Sequence, residues 1–182
     1  MPVLSFAADE VAAIRGVFDG RVQVLWGDQA TRQKLFDLNT SNELQKYDVL
    51  HFTTHAVLDR AAPHQSRVLL HDHALTTLDI LDLTLNARVV TLSACQTALG
   101  QGGRGDELVG LARAFFYAGT RALLATLWSV EDQSMVELTG RFYRHLAGGE
   151  NIAAALQQAQ IEMMREGRTP YQWAPLALMG RP

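Results

Sequence analysis

Apolar and polar positions alternate with two periods along the chain, and the switches between them mark its elements. From Asp9 to Phe18 the apolar residues Val11, Ile14, Val17 and Phe18 recur at helical spacing, which predicts a helix with Asp9 as N-cap and Gly20 beyond its end. Arg21 to Trp26, written RVQVLW, alternates polar and apolar and predicts a half-buried strand that stops at Gly27-Asp28. Thr31 to Leu38 reads as a second helix, and the β-rich run Asp48 to Thr54 as a strand ending at His55. Arg67 to Leu70 and Ala74-Leu75 predict a small hairpin around His71-Asp72-His73, followed by a helical turn or two from Thr77 to Leu83. Ala87 to Ser93, written ARVVTLS, has the compact β-branched character of a central buried strand and delivers Cys95 at its end. Asp106 to Tyr117 is helical and closed by Gly119, and Thr120 to Trp128 is a second apolar run of strand length. Helices from Glu131 to Leu146 and Asn151 to Arg165, then a short strand from Trp173 to Met179, complete the reading.

Strands that alternate with helices of this length imply βαβ units, hence a mostly parallel sheet with helices on both faces in a three-layer α/β/α arrangement. Functional groups in such sheets collect at the carboxyl ends of the strands. His55 and Cys95 each fall just past one such end.

Composition narrows the class. With 48% hydrophobic and 19% charged residues among 182, residues 1–182 are expected to form one globular domain with a real core. Sixteen Lys plus Arg against nineteen Asp plus Glu give a formal charge of −3, so nucleic acid is not an expected partner. The single cysteine excludes an internal disulfide and a multi-thiolate metal site, and fits a reducing compartment, with the cytoplasm expected. No apolar run reaches the roughly 18 residues of a membrane span, and no membrane contact is expected. The chain enters its first helical pattern within a few residues of Met1, which suggests a piece of a longer protein.

Each candidate for chemistry has a plain structural alternative. Cys95 in LSACQT is either a small buried apolar residue or a nucleophile, and the second needs a cleft and a nearby base. His55 in HFTTHA is either a hydrogen-bonded structural residue or that base. His51 and His55 would be about 13 Å apart on a strand, too far to share a metal ion. His71-Asp72-His73, with His64 nearby, reads as a polar hairpin tip rather than a metal site, and Asp72, Asp79 and Asp82 match no calcium loop. Gly100 to Gly105, GQGGRG, fits a dinucleotide fingerprint in form, but Ala94 to Leu99 separate it from the strand it should follow directly. It also lacks the Lys-Ser/Thr ending of a P-loop. Asp106 and Glu107 suit a helix N-terminus, and Arg113 is a lone charge on an apolar helix, expected exposed or paired. Trp128, at a strand end beside the cysteine strand, is either core or the wall of a substrate pocket. Asp132, just beyond it, is either a helix cap or part of that wall.

Taken in order, HFTTHA, SRVLL, LSACQT, GDELVGLARAFFYAGTRALLATLWSVED, FYRHLAGG and YQWAPLALMG resemble the CHAT domain, a caspase-like domain often attached to tetratricopeptide repeats. The resemblance runs from about Ala8 to Gly180. It implies a caspase-haemoglobinase-like fold and a cysteine endopeptidase that needs no cofactor or metal, with His55 and Cys95 as its dyad. The backbone amides of Ala56 and Cys95 would hold the oxyanion, Ala56 standing where caspases carry Gly. Ser93, Trp128, Ser129, Asp132 and Asp106 would border the pocket for the residue before the cut bond. An acid there would favour Arg or Lys, and whether Asp132 or Asp106 supplies it stays open. The implied partners are a protein or peptide substrate and regulatory repeats or an activating partner in a longer parent chain. Two alternatives remain: an inactive caspase-like scaffold, and a dinucleotide-binding domain using GQGGRG.

Overall fold

The computed structural model describes residues 6–59, 62–93, 106–128 and 132–181. In chain order its elements are α1 (Ala7–Phe18), α2 (Arg32–Thr40), β1 (Val49–Thr53), β2 (Ala56–Val57), β3 (Arg67–Leu69), β4 (Ala74–Thr76) and α3 (Thr77–Leu81). They continue as β5 (Val89–Ser93), α4 (Asp106–Tyr117), β6 (Ala122–Thr126), α5 (Asp132–Ala147), α6 (Ile152–Arg165), α7 (Pro170–Trp173) and β7 (Leu176–Gly180).

The main sheet has the strand order β1-β5-β6-β7, with β1, β5 and β6 parallel and β7 antiparallel to β6. The continuous apolar runs of β5 and β6 are explained by burial on both faces. Val90, Leu92, Leu123 and Ala125 pack with Leu35, Ile80, Leu111 and Phe115 from α2, α3 and α4. Val89, Ala122 and Leu124 pack with Ile14, Leu138, Phe142 and Ala159 from α1, α5 and α6. The chain is therefore a mixed α/β structure with a mostly parallel central sheet between two helical layers, as the alternation of elements predicts.

Local chemistry sets the helix ends. Thr31 accepts from Lys34 N at 3.0 Å at the start of α2, and Asn151 accepts from Ala154 N at 2.8 Å at the start of α6. The turn after α4 requires Gly119: its φ is +109°, and a Cβ there would collide with the carbonyl oxygen of Leu85.

A second, antiparallel sheet of order β2-β3-β4 hangs from the end of β1. It is tied there by main-chain atoms of Leu69, whose N–H donates to His55 O at 2.8 Å and whose carbonyl accepts from Thr54 Oγ1 at 2.6 Å.

Three details differ from the sequence reading. Arg21 to Trp26 joins no ladder among the described residues, and an extended segment without main-chain ladder bonds does not count as a strand however cleanly it alternates. The first helix begins at Ala7 and has Phe6 at its N-cap without a side-chain bond, so Asp9 lies inside the first turn, where its charge complements the helix dipole. Trp173 ends the four-residue α7, which starts on Pro170 with a Thr169–Gln172 capping box, and the last strand begins only at Leu176.

Candidate active site

The end of β1 delivers His55 to the junction of the two sheets. Its side chain is buried, its carbonyl is held by Leu69, and Ala56 starts β2 opposite Val68. Strand β5 lies in register beside β1, pairing Thr53 with Ser93, and Cys95 follows two residues after Ser93 in the sequence. Cys95, Ser129 and the whole of GQGGRG lie outside the described residues. Asp106 and Asp132 open α4 and α5, and their side chains also fall outside what is described. Next to Ala56, an apolar dent of about 230 Å³, solvent at its mouth included, is lined among the described residues by Ala56, Leu58, Leu92, Leu108, Leu111, Ala125 and Thr126.

Trp128 stands past the end of β6. Its indole Nε1 donates to Tyr171 O at 3.0 Å, and the two rings stack with centroids 6.3 Å apart and an interplanar angle of 21°. Tyr171 is 53% exposed, so the stack forms a partly open aromatic surface at the strand ends, anchored to α7.

Behind the strand ends, on the α1 and α5 face, sits a polar cluster that the sequence reading did not assemble. Glu10 of α1 is 4% exposed, and its Oε2 accepts from Thr53 Oγ1 at 2.9 Å and from Ser93 Oγ at 3.1 Å. Its Oε1 faces His51 Nε2 at 3.3 Å. His51 Nε2 also lies 2.8 Å from Thr53 Oγ1, and its Nδ1 lies 2.8 Å from the hydroxyl of Tyr143, which donates to Thr91 Oγ1 at 2.7 Å. Thr53 donates to Glu10 and Tyr143 to Thr91, so His51 joins the strand-end carboxylate to the hydroxyl of α5 in one buried polar cluster. Burial alone would raise the Glu10 carboxyl, but the charge of His51 and the bonds from His51, Thr53 and Ser93 outweigh it and hold it below its ordinary value. Burial pushes the Tyr143 phenol up, so it stays a neutral donor. Ser93, expected at the pocket, thus directs its hydroxyl to Glu10. Helical spacing carried the signal for this cluster, because Ala7, Glu10 and Ile14 form the buried stripe of α1 and place a carboxylate in an apolar line.

The acidic residues of the hairpin have structural duties. Asp72 Oδ1 accepts from Arg32 N and His73 N, both at 2.7 Å, and Oδ2 from Gln33 N at 3.2 Å, so it caps α2 from 40 residues away. Desolvation opposes its ionisation, yet these three N–H groups bring its pKa down to about 2. Asp79 pairs with Arg32 and closes the capping box of α3 with Thr76. Arg113 is exposed on α4. Among the described residues no group of three His, Cys, Asp or Glu side chains could hold a metal ion, and no helix is long and apolar enough to cross a membrane.

A mostly parallel sheet between helical layers, with a histidine just past the carboxyl end of one strand, is an arrangement that a caspase-like α/β domain shares. The family model of the CHAT domain matches residues 1–181, and the chain belongs to that family. Over 113 residues, 61% of its length, the chain is 34% identical to tetratricopeptide repeat protein 28 of Mus musculus. It is 31% identical over 113 residues to the protein of the same name from Homo sapiens. Those stretches span 5% and 4% of the two relatives, so the similarity concerns a small part of each.

Proposed function

We propose that this chain is a cysteine endopeptidase of the caspase-like class with His55 and Cys95 as its dyad. The observation that carries the reading is the Thr53–Ser93 register pair: two parallel neighbours end together, one leading to His55 and the other to Cys95 two residues on, in a chain of the CHAT family. In this reading the Cys95 thiolate attacks the scissile carbonyl carbon, and the backbone N–H groups of Ala56 and Cys95 bind the resulting oxyanion. As the C–N bond breaks, His55 gives a proton to the leaving amine, leaving a thioester on Cys95. Water, deprotonated by His55, then attacks the thioester, releasing the new carboxylate and restoring the thiol. Trp128, Ser129, Asp132 and Asp106 border the pocket for the residue before the cut bond, Ser93 standing behind it with its hydroxyl on Glu10, and an acid among the four favours Arg or Lys. The substrate is a protein or peptide, the working compartment the cytoplasm, and residues 1–182 one domain regulated by repeats or partners in a longer chain.

The test is labelling by peptide acyloxymethyl ketones that differ at the residue before the warhead, read by mass spectrometry on the wild type, His55→Ala and Cys95→Ala. Labelling at Cys95 that requires His55 and prefers one side chain is the expected result. Labelling no faster than in the unfolded chain would overturn it in favour of an interaction scaffold, a reading the similarity to tetratricopeptide repeat proteins supports.

A further inference from the structure

We propose that Glu10 is a positioning residue: its buried carboxylate clamps the ends of β1 and β5 together and so fixes the separation of the two segments that leave them. The inference rests on the peptidase reading only for its catalytic consequence; the clamp itself stands on geometry. One oxygen, Oε2, accepts from Thr53 and from Ser93, which are the last residues of their strands and face each other in the ladder. His55 and Cys95 each come two residues later. Thr53 and Ser93 are the last register pair of the β1 and β5 ladder, and Glu10 adds a side-chain tie at that pair. Glu10 supplies such a contact from a third element, α1, which is seated against the α5 side of the sheet through Ile14. His51 lies 3.3 Å from the other carboxylate oxygen, bonds Thr53, and is itself fixed by Tyr143, bonded in turn to Thr91, so the clamp is anchored to β1, β5 and α5 at once. Glu10 is 4% exposed and both donors to its Oε2 come from the strand ends, so its freedom to move is small.

The consequence is a rate effect without a binding effect. A displacement of about 1 Å between attacking atom and base costs on the order of 10²-fold in rate, whereas recognition of a peptide at more distant subsites is unaffected. Glu10→Ala is therefore expected to lower the maximal inactivation rate constant for ketone labelling of Cys95 at least about tenfold and to leave KI within about twofold. Glu10→Gln keeps an acceptor oxygen in place and is expected to retain most of the wild-type rate. Ile14→Ala, in the same helix and the same core but outside the clamp, serves as the stability-matched control, with Ile14→Val in reserve if it does not fold. All variants are compared at a temperature where urea titration shows them folded.

Amide hydrogen exchange of peptides covering 50–56 and 88–95 gives a second readout that needs no activity. Glu10→Ala is expected to speed exchange at both strand ends by about fivefold or more, and the Ile14 variants are not. Three results overturn the proposal: an inactivation rate that tracks thermal stability equally in Glu10→Ala and Ile14→Ala, a Glu10→Gln rate as low as that of Glu10→Ala, or unchanged exchange at the strand ends in Glu10→Ala. If the wild type shows no His55-dependent labelling, the peptidase reading fails by itself, and the exchange experiment alone decides the clamp.

Discussion

Tyr143→Phe removes one oxygen from the fully buried side chain of α5 and leaves its ring packing against Phe18 and Phe142 unchanged. That oxygen takes a bond from His51 Nδ1 at 2.8 Å and gives one to Thr91 Oγ1 at 2.7 Å. Two polar groups lose their partner where water does not reach, and each stranded group costs about 1–3 kcal/mol. The expected loss is about 3 kcal/mol, which for a chain of this length lowers Tm by roughly 6–12 °C. Urea unfolding followed by circular dichroism checks it, the slope m staying at its wild-type value while the midpoint falls. Thr91→Val in the same background measures the coupling, expected at about 1 kcal/mol, because the second substitution removes a bond the first has already broken. A loss below about 0.5 kcal/mol for Tyr143→Phe would refute the role of the Tyr143 hydroxyl as the bridge between His51 and Thr91.

Two further outcomes follow from the same kind of accounting. Burial opposes ionisation of Asp79, but Arg32 and the hydroxyl and N–H of Thr76 win and bring its pKa from 3.8 to about 2. A lowered carboxylate stabilises fully above pH 3.8 and loses that contribution as pH falls toward about 2. Asp79→Ala is thus expected to cost at most about 2 kcal/mol at pH 7, since Arg32 is partly exposed, and almost nothing below pH 2; a deficit that does not change with pH in urea titrations would exclude the pairing as its cause. Gly119→Ala forces a positive φ on alanine and drives its Cβ into the Leu85 carbonyl, so a loss of roughly 2–4 kcal/mol is expected, and an unchanged Tm would contradict the turn geometry.

The helices and central strands were legible in the sequence wherever burial imposes a clean period. Asp106–Tyr117 shows a one-sided apolar face, and β5 and β6 are apolar throughout because both of their faces are covered. The resemblance to the CHAT domain supplied the ordered set of motifs, and the match over residues 1–181 bears it out. Other features depend on what is adjacent in space and were not readable. Arg21 to Trp26 has the alternation of a strand, but a ladder requires main-chain bonds to a neighbour, and the segment forms none among the described residues. The short α7 rests on Pro170 and one capping box, too few residues for any period to show. Glu10 is the instructive case: its place on the Ala7–Ile14 stripe announced a buried carboxylate, but its partners come from strands more than 40 and 80 residues away.

The brace between the two sheets is made largely of main-chain atoms: the N–H and carbonyl of Leu69 hold the carbonyl of His55 and the hydroxyl of Thr54. Bonds of this kind carry no sequence signature, so position 69 is free to drift among side chains that suit its partly buried site without releasing the histidine. Of the standard residues only proline lacks the N–H that the brace needs. The support of His55 is therefore robust to nearly every single substitution at its contact point, and a comparison of related sequences would record that position as variable while the geometry it enforces stayed constant.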